Sequence, residues 1–286
     1  MVITGRTKVL GIFGDPVEQT LSPYMHNAAF KALGLDHVYV PFHVAPDGLE
    51  AGVEAVRALG LLGVNVTIPH KERVMEFLDE VDEEARAIGA VNTIVNRSGR
   101  LAGHNTDGRG YWMSLMDETG FDPAGKTIIV LGAGGAARAI IFSLLGRGPA
   151  RVVVANRTRE RAEALKEAFK NSFPGVDMVT TGLDAPGEME GADLLVNTTS
   201  VGMLGSGGDA PPVDVGRLPS SAVVSDIVFK PLDTPLIRDA EKRGLRTHRG
   251  LGMLVCQGAL SFELWTGKRA PVETMKFAAL QALEVR

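Results

Sequence analysis

The chain has 286 residues, 45% of them apolar, and a formal net charge of −4. That length buries a substantial core and suits two domains better than one, while the acidic balance leaves no basic stripe for nucleic acid. The single cysteine, Cys256, excludes an internal disulfide framework, and the opening MVITGRTKVLGIFG has no apolar run long enough for a signal peptide or membrane span. A soluble, cytoplasmic protein is expected, with Cys256 a buried small hydrophobe in the apolar stretch LGMLVCQGAL.

Strands and helices alternate from the start: KVLGIFG, a helix from Pro23 to Leu33, VYVPFHV, a helix from Leu49 to Leu59, and LLGVNVTI. A helix from about Lys71 to Ala87 follows, then the strand VNTIVN and a short return around Leu101. This predicts an α/β domain with a mostly parallel sheet. In HNTDGRGYWMSLMDE, Asp107 and Gly108 open another helix, and the chain is expected to leave the first domain there.

Lys126 to Ile140 reads KTIIVLGAGGAARAI, a buried strand running into glycines and then an alanine-rich helix. The chain must turn tightly after Leu131, let a pyrophosphate approach bare backbone at Gly134, and aim first-turn N–H groups at that anion. Gly132-Ala133-Gly134-Gly135-Ala136-Ala137 meets these demands with alanine in the last fingerprint position, and RVVVAN supplies the second strand of a Rossmann-like βαβ unit. That strand ends in Asn156 where a ribose-binding carboxylate would stand, followed by Arg157, Thr158 and, after Arg159, Arg161. Guanidinium groups there favour a 2′-phosphate, hence NADP(H) over NAD(H). The bland alternative is a solvated first turn whose arginines pair with Glu160 and Glu163.

Later strands are expected at Met178 to Thr180, Asp193 to Asn197 and Ala222 to Ser225, with a flexible loop from Ser206 to Pro212. The glycines of RGLGMLVCQG mark a crossing back, and two final helices, Met253 to Trp265 and Val272 to Glu284, have no strands to follow. These boundaries give a first domain of residues 1–107 with 250–286, and a nucleotide-binding domain of 108–249. Small polar substrates in such folds bind at the carboxyl ends of strands, in a cleft that the two domains are expected to share.

Several segments of the first domain end in residues too polar for a core: Thr20-Leu21-Ser22, Asn65 to Lys71, Ala90 to Thr93, and Asn105 to Gly108. Each has a plain reading of its own. Ser22-Pro23 suits a helix cap, Asp107 another cap, Asn92 a turn, and Lys71 an exposed helix start. Their joint occurrence points instead to a site. The six histidines show no i, i+4 pair, and no metal is expected.

In this order, NVTIPHK, GAVNT, HNTDG, GAGGAA, NRTRER and GLGMLVCQ resemble the shikimate dehydrogenase family over nearly the whole chain. The resemblance implies that Lys71 and Asp107 are the catalytic pair, and that Thr20, Ser22, Asn65, Thr67, Asn92, Phe229 and Gln257 hold the substrate. It assigns the cofactor to the turn from Gly132 to Ala136, to Asn156, Arg157, Thr158 and Arg161, and to Ile227 and Gly250. Two positions depart from the family pattern: Thr20 stands where serine is usual and keeps a hydroxyl, whereas Phe229 stands where tyrosine is usual and loses one. The second departure opens a preference for a related cyclitol such as quinate.

The implied reaction is the reversible NADPH-dependent reduction of 3-dehydroshikimate to shikimate, a step of chorismate and aromatic amino acid biosynthesis. A lysine is ordinarily protonated at neutral pH, so Lys71 would be general acid in reduction and base in oxidation, with Asp107 sharing the proton. A monomer or homodimer acting on a small molecule is expected. The rival readings are a broader quinate/shikimate dehydrogenase and a non-catalytic NADP-binding sensor; retention of both Lys71 and Asp107 argues against the sensor.

Overall fold

The computed structural model describes residues 2–183, 185, 187–205 and 210–284, so part of the loop expected at 206–212 lies outside the described residues. In chain order the elements are β1 (Lys8–Gly14), α1 (Ser22–Ala32), β2 (His37–His43), α2 (Leu49–Ala58), β3 (Gly63–Val66), β4 (Glu80–Val81), α3 (Glu83–Ile88), β5 (Thr93–Arg97), β6 (Arg100–His104) and α4 (Asp107–Thr119). They continue with β7 (Thr127–Leu131), α5 (Gly135–Leu145), β8 (Arg151–Ala155), α6 (Arg159–Lys170), β9 (Asp177–Thr181), β10 (Leu194–Asn197), β11 (Val223–Asp226), α7 (Pro235–Lys242), β12 (Arg246–Arg249), α8 (Gly250–Thr266) and α9 (Val272–Glu284).

The chain divides into two compact units, Met1–Gly110 with Val255–Arg286, and Tyr111–Leu254. Both boundaries fall inside helices, beyond the turns at 107/108 and 249/250 that the sequence suggested. The reason is that α4 and α8 run on unbroken past Gly108 and Gly250.

In the first unit the sheet order is β2-β1-β3-β5-β6-β4, parallel on the β1 side and antiparallel from β3 to β5 and from β5 to β6. The antiparallel pair of β5 and β6 is the short return expected around Leu101, and β5 also runs antiparallel to β3. It also matters for the site, because its register sets Asn65 opposite Thr93 and Thr93 opposite His104. The end of β3, the start of β5 and the end of β6 therefore share one edge of the sheet. Helix α9 packs on α1, and Trp265 of α8 donates its indole N–H to the Ile94 carbonyl at 2.9 Å.

The second unit is a fully parallel sheet in the order β12-β11-β10-β7-β8-β9, which reverses direction between β7 and β10. Ile128 and Val130 of β7 enter one hydrophobic cluster, Ile129 and Leu131 the other. A strand buried on both faces reads as a continuous apolar run, which is why TIIVL was legible.

The stretch from Lys71 to Ala87 is not one helix. It breaks into a short 3-10 turn at Arg73–Phe77, strand β4, and α3. Acidic side chains in this stretch take tertiary and capping partners: Asp79 accepts from the Leu101 amide at 2.7 Å, and Asp82 caps α3 through the Ala85 amide at 2.6 Å. Asp82 also meets His104 Nδ1 at 2.5 Å. Burial alone would raise the Asp82 pKa, but bonds from His104 and Ala85 outweigh it and hold the carboxyl below its usual range. A depressed folded pKa contributes stability above the unfolded value, and that contribution is lost as pH falls through the folded one. Asp82→Ala is thus expected to cost about 0.5 to 2 kcal/mol at neutral pH, the scale of a lost cap. The gap from wild type should close as pH drops below about 4, read from urea unfolding at several pH values.

Candidate active site

Lys71, in the turn after β3, and Asp107, first residue of α4, meet at that sheet edge. Lys71 Nζ donates to Asp107 Oδ2 at 2.5 Å, with the side chains 14% and 4% exposed. The Lys71 carbonyl accepts the Val91 amide at 2.8 Å, tying the lysine to the segment that carries Asn92. Asn92 Nδ2 lies 2.8 Å from Asp107 Oδ1, 2.8 Å from Thr106 Oγ1 and 3.3 Å from Gln257 Oε1. Its Oδ1 accepts from the Thr106 amide at 2.8 Å and from Thr93 Oγ1 at 2.9 Å. Asn65 donates to the Asn92 carbonyl, to Thr93 Oγ1 and to Ser261 Oγ at 3.1 to 3.2 Å, and its Oδ1 accepts from the Tyr39 hydroxyl at 2.7 Å.

None of the four plain readings describes these residues. Ser22 is the first residue of α1 behind Leu21, whose side chain makes no cap, and Ser22 itself is buried. Its amide donates to Thr20 Oγ1 at 3.2 Å. The Asp107 carboxylate faces Lys71 and Asn92, while Asn105 Oδ1 takes the Asp107 amide at 3.0 Å. Asn92 is buried at the lead into β5, and Lys71 is largely covered. Thr67 is half-buried, and no hydrogen bond engages its hydroxyl among the described residues.

An ammonium fixed on a carboxylate can give or take a proton along a set direction, and the surrounding hydroxyl and amide groups suit a polyol. Thr20, Ser22, Asn65, Thr67, Lys71, Asn92, Asp107 and Gln257 all belong to the first unit.

The remaining candidates lie in the second unit. Gly132 has φ +112°, and a Cβ there would meet Thr198 Oγ1 at 2.5 Å, so the fold itself requires glycine. Gly134 differs: its φ is −90° and an added Cβ would meet nothing within 4 Å. The protein's own packing does not call for glycine there, whereas a group approaching the backbone from outside does. Gly134 also precedes α5 with no side chain capping the helix, which leaves Gly135 and Ala136 N–H groups for an anion, with Ala133 half-buried beside them.

At the tip of β8, Asn156 Nδ2 donates to the Thr158 carbonyl at 2.7 Å. Arg159 pairs with Glu163 at 3.7 Å, but among the described residues Arg157 and Arg161 are exposed and have no carboxylate partner. The solvated-helix alternative therefore holds for Arg159 alone. Two uncompensated guanidiniums beside an open helix N-terminus fit a phosphorylated dinucleotide. Gly250 closes against Ile227, where a Cβ would lie 2.2 Å from the Ile227 carbonyl oxygen, and half-buried Phe229 follows two residues on.

Sequence reasoning placed Thr93 and Thr106 in polar segments but missed Tyr39 and Ser261; all four are buried and hydrogen-bonded to Asn65 or Asn92. In the second unit, Asp226 is wholly buried, and burial pushes its carboxyl up to about 6 against bonds from Thr234, the Val228 amide and Asn197. Nothing short of tertiary placement marks such residues, since each reads as an ordinary strand or helix position. Cys256 proves half-buried rather than buried.

The chain matches three family descriptions: "Shikimate dehydrogenase substrate binding domain" over residues 12–94, "Shikimate / quinate 5-dehydrogenase" over 116–200 and "Shikimate 5'-dehydrogenase C-terminal domain" over 250–280. It is 49% identical over 284 residues to shikimate dehydrogenase (NADP(+)) of Methanopyrus kandleri, covering 98% of each chain. Among solved structures, a shikimate dehydrogenase in complex with NADP+ superposes with a TM-score of 0.92 at 42% identity, covering 99% of this chain and 98% of that one. The Thermus thermophilus shikimate 5-dehydrogenase in complex with NADP(H) and shikimate gives 0.86 at 39% identity, covering 96% and 100%.

Helix α4 reaches α8 at Gly110, where a Cβ would lie 2.6 Å from the Gln257 amide nitrogen and 2.8 Å from its Cα. Gly110→Ala sets a helix-propensity gain of at most about 1 kcal/mol against a clash with backbone that costs about 1 to 3. The clash should win, giving a net loss of about 1 to 2 kcal/mol in chemical unfolding. An unchanged midpoint would mean that the two helices have slack at this crossing.

Proposed function

The chain belongs to the shikimate dehydrogenase family, and we propose that it catalyses the reversible, NADPH-dependent reduction of 3-dehydroshikimate to shikimate, with Lys71 and Asp107 handling the proton. The observation that carries the mechanism is the 2.5 Å bond from Lys71 Nζ to Asp107 Oδ2, shielded from solvent at the sheet edge. When bound, the dinucleotide supplies the hydride that adds to the ring carbonyl carbon. As the carbonyl becomes a single C–O bond, Lys71 gives an ammonium proton to the oxygen, which would otherwise carry a full negative charge. Asp107 keeps the ammonium directed, and Asn92 keeps Asp107 directed through the 2.8 Å bond to its other oxygen. In oxidation the same lysine takes the proton back.

Ser22, Thr20 and Thr67 would offer hydroxyls to the substrate's carboxylate and ring oxygens, with Gln257, Asn92 and Asn65 offering amides. A site that pairs such groups rejects analogues lacking them. Arg157 and Arg161 would hold the 2′-phosphate, and the N–H groups at the start of α5 the pyrophosphate. Phe229 offers no hydroxyl, which favours some tolerance for quinate; comparing kcat/KM for both cyclitols measures it. We infer that the enzyme serves chorismate and aromatic amino acid biosynthesis in the cytoplasm, as a monomer or homodimer.

The direct assay is loss of NADPH absorbance on adding 3-dehydroshikimate. No turnover, with NADPH still bound, would turn the reading toward a sensor. Lys71→Met should lower kcat by about 10² to 10⁴ with a smaller change in KM, and a near-normal kcat would refute the proton role. Arg157→Ala should weaken NADPH binding by about 1.5 to 3 kcal/mol and leave NADH unaffected, as titrations of both cofactors would reveal. An intact preference for NADPH in that variant would remove the phosphate assignment.

A further inference from the structure

Tyr39 lies in β2, an edge strand, and is 1% exposed. Its ring and main chain are fixed by two residues of α1. Asn27 clamps the backbone from both sides, Nδ2 donating to the Tyr39 carbonyl and Oδ1 accepting its amide, each at 2.9 Å. His26, wholly buried and with neither ring nitrogen hydrogen-bonded, stacks on the phenol at 4.4 Å and 17°, with Phe262 stacked beyond it. The imidazole acts there as a flat apolar plate, because burial lowers its pKa to about 3 and keeps it neutral.

This bracing directs one hydroxyl. Tyr39 Oη donates to Asn65 Oδ1 at 2.7 Å. The direction of the Asn65 amide is not free, since its Nδ2 faces the Asn92 carbonyl, which only accepts. Tyr39 comes from β2 and Asn65 from the end of β3, so the bond joins two strands that do not pair with each other.

We propose that Tyr39 is a positioning and specificity-determining residue for the substrate, its hydroxyl fixing Asn65 in the orientation that receives a hydroxylated ring acid. The inference rests on the shikimate dehydrogenase reading. Because the phenol is held by α1 and β2 before any ligand arrives, the ordering of Asn65 is complete in the free protein, and binding gains by that amount. Without the hydroxyl, Asn65 Oδ1 is buried with no donor.

Tyr39→Phe tests this, because it retains the ring and its stacking. Calorimetric titration of shikimate should show Kd raised about five- to twenty-fold, the equivalent of one buried hydrogen bond. KM should rise with it while kcat stays within about two-fold, and NADPH affinity should not change. In an Asn65→Ala background the effect of Tyr39→Phe should shrink, since the two act as a unit. A variant with lowered thermal stability but unaltered shikimate Kd would make Tyr39 merely structural and overturn the proposal. If folded Tyr39→Phe is not recovered, Asn27→Ala, which releases the Tyr39 main chain and keeps the phenol, must raise the same Kd, and an unchanged value overturns the proposal equally. Wild-type protein that binds NADPH but not shikimate would instead overturn the functional reading, and this inference with it.

Discussion

A covered ammonium and a buried carboxylate 2.5 Å apart constrain everything around them in the first unit. Desolvating two charges costs several kcal/mol per ion, and their attraction offsets this only where other polar groups satisfy the rest of each charge. That requirement accounts for Asn92 on the second Asp107 oxygen, and then for Thr93 and Thr106 on Asn92. It also accounts for Ser261, whose hydroxyl lies 2.8 Å from Thr93 Oγ1 and 3.2 Å from Thr106 Oγ1. Each buried group is bonded, so the layer is rigid where a half-satisfied one would be a defect. Lys71 shares the frame through its own carbonyl, so the lysine and the Asn92–Asp107 pair cannot drift apart independently.

The second unit solves a different electrostatic problem. At the nucleotide turn and the start of α8, its glycines are of two kinds. Gly132 and Gly250 are fixed by Thr198 and Ile227, whereas Gly134 faces open space. Likewise Glu163 neutralises Arg159 but leaves Arg157 and Arg161 uncompensated. Leaving cations unpaired beside the positive end of a helix is unfavourable unless an anion is to arrive, so the charge pattern and the bare backbone point to the same phosphorylated guest.

Some of this was legible in sequence because the physics is local. Strands buried on both faces read as runs such as TIIVL and RVVVA, and the glycine turn and its following arginines carry their own chemistry. The segment from Lys71 to Ala87 was misread because helical spacing does not reveal that Asp79 will bind Arg57 and the Leu101 amide, or that Asp82 will bind His104. The short return around Leu101 was legible, but not that β5 also runs antiparallel to β3, because a strand's direction is fixed by its partners. Asp107 was legible only jointly, since a lone aspartate at a helix start reads as a cap. Tyr39 was not legible at all, being an unremarkable aromatic until α1 is laid across β2.

The distinction between committed and uncommitted polar atoms also says where substrate preference can vary. Asn65 and Asn92 each hold several buried partners, so exchanging either one strands them. Thr20 accepts a single bond from the Ser22 amide, and Phe229 brings no polar atom at all. Exchanging the Phe229 side chain therefore unpairs nothing, and exchanging Thr20 unpairs only the Ser22 amide, a bond that serine in its place would still accept.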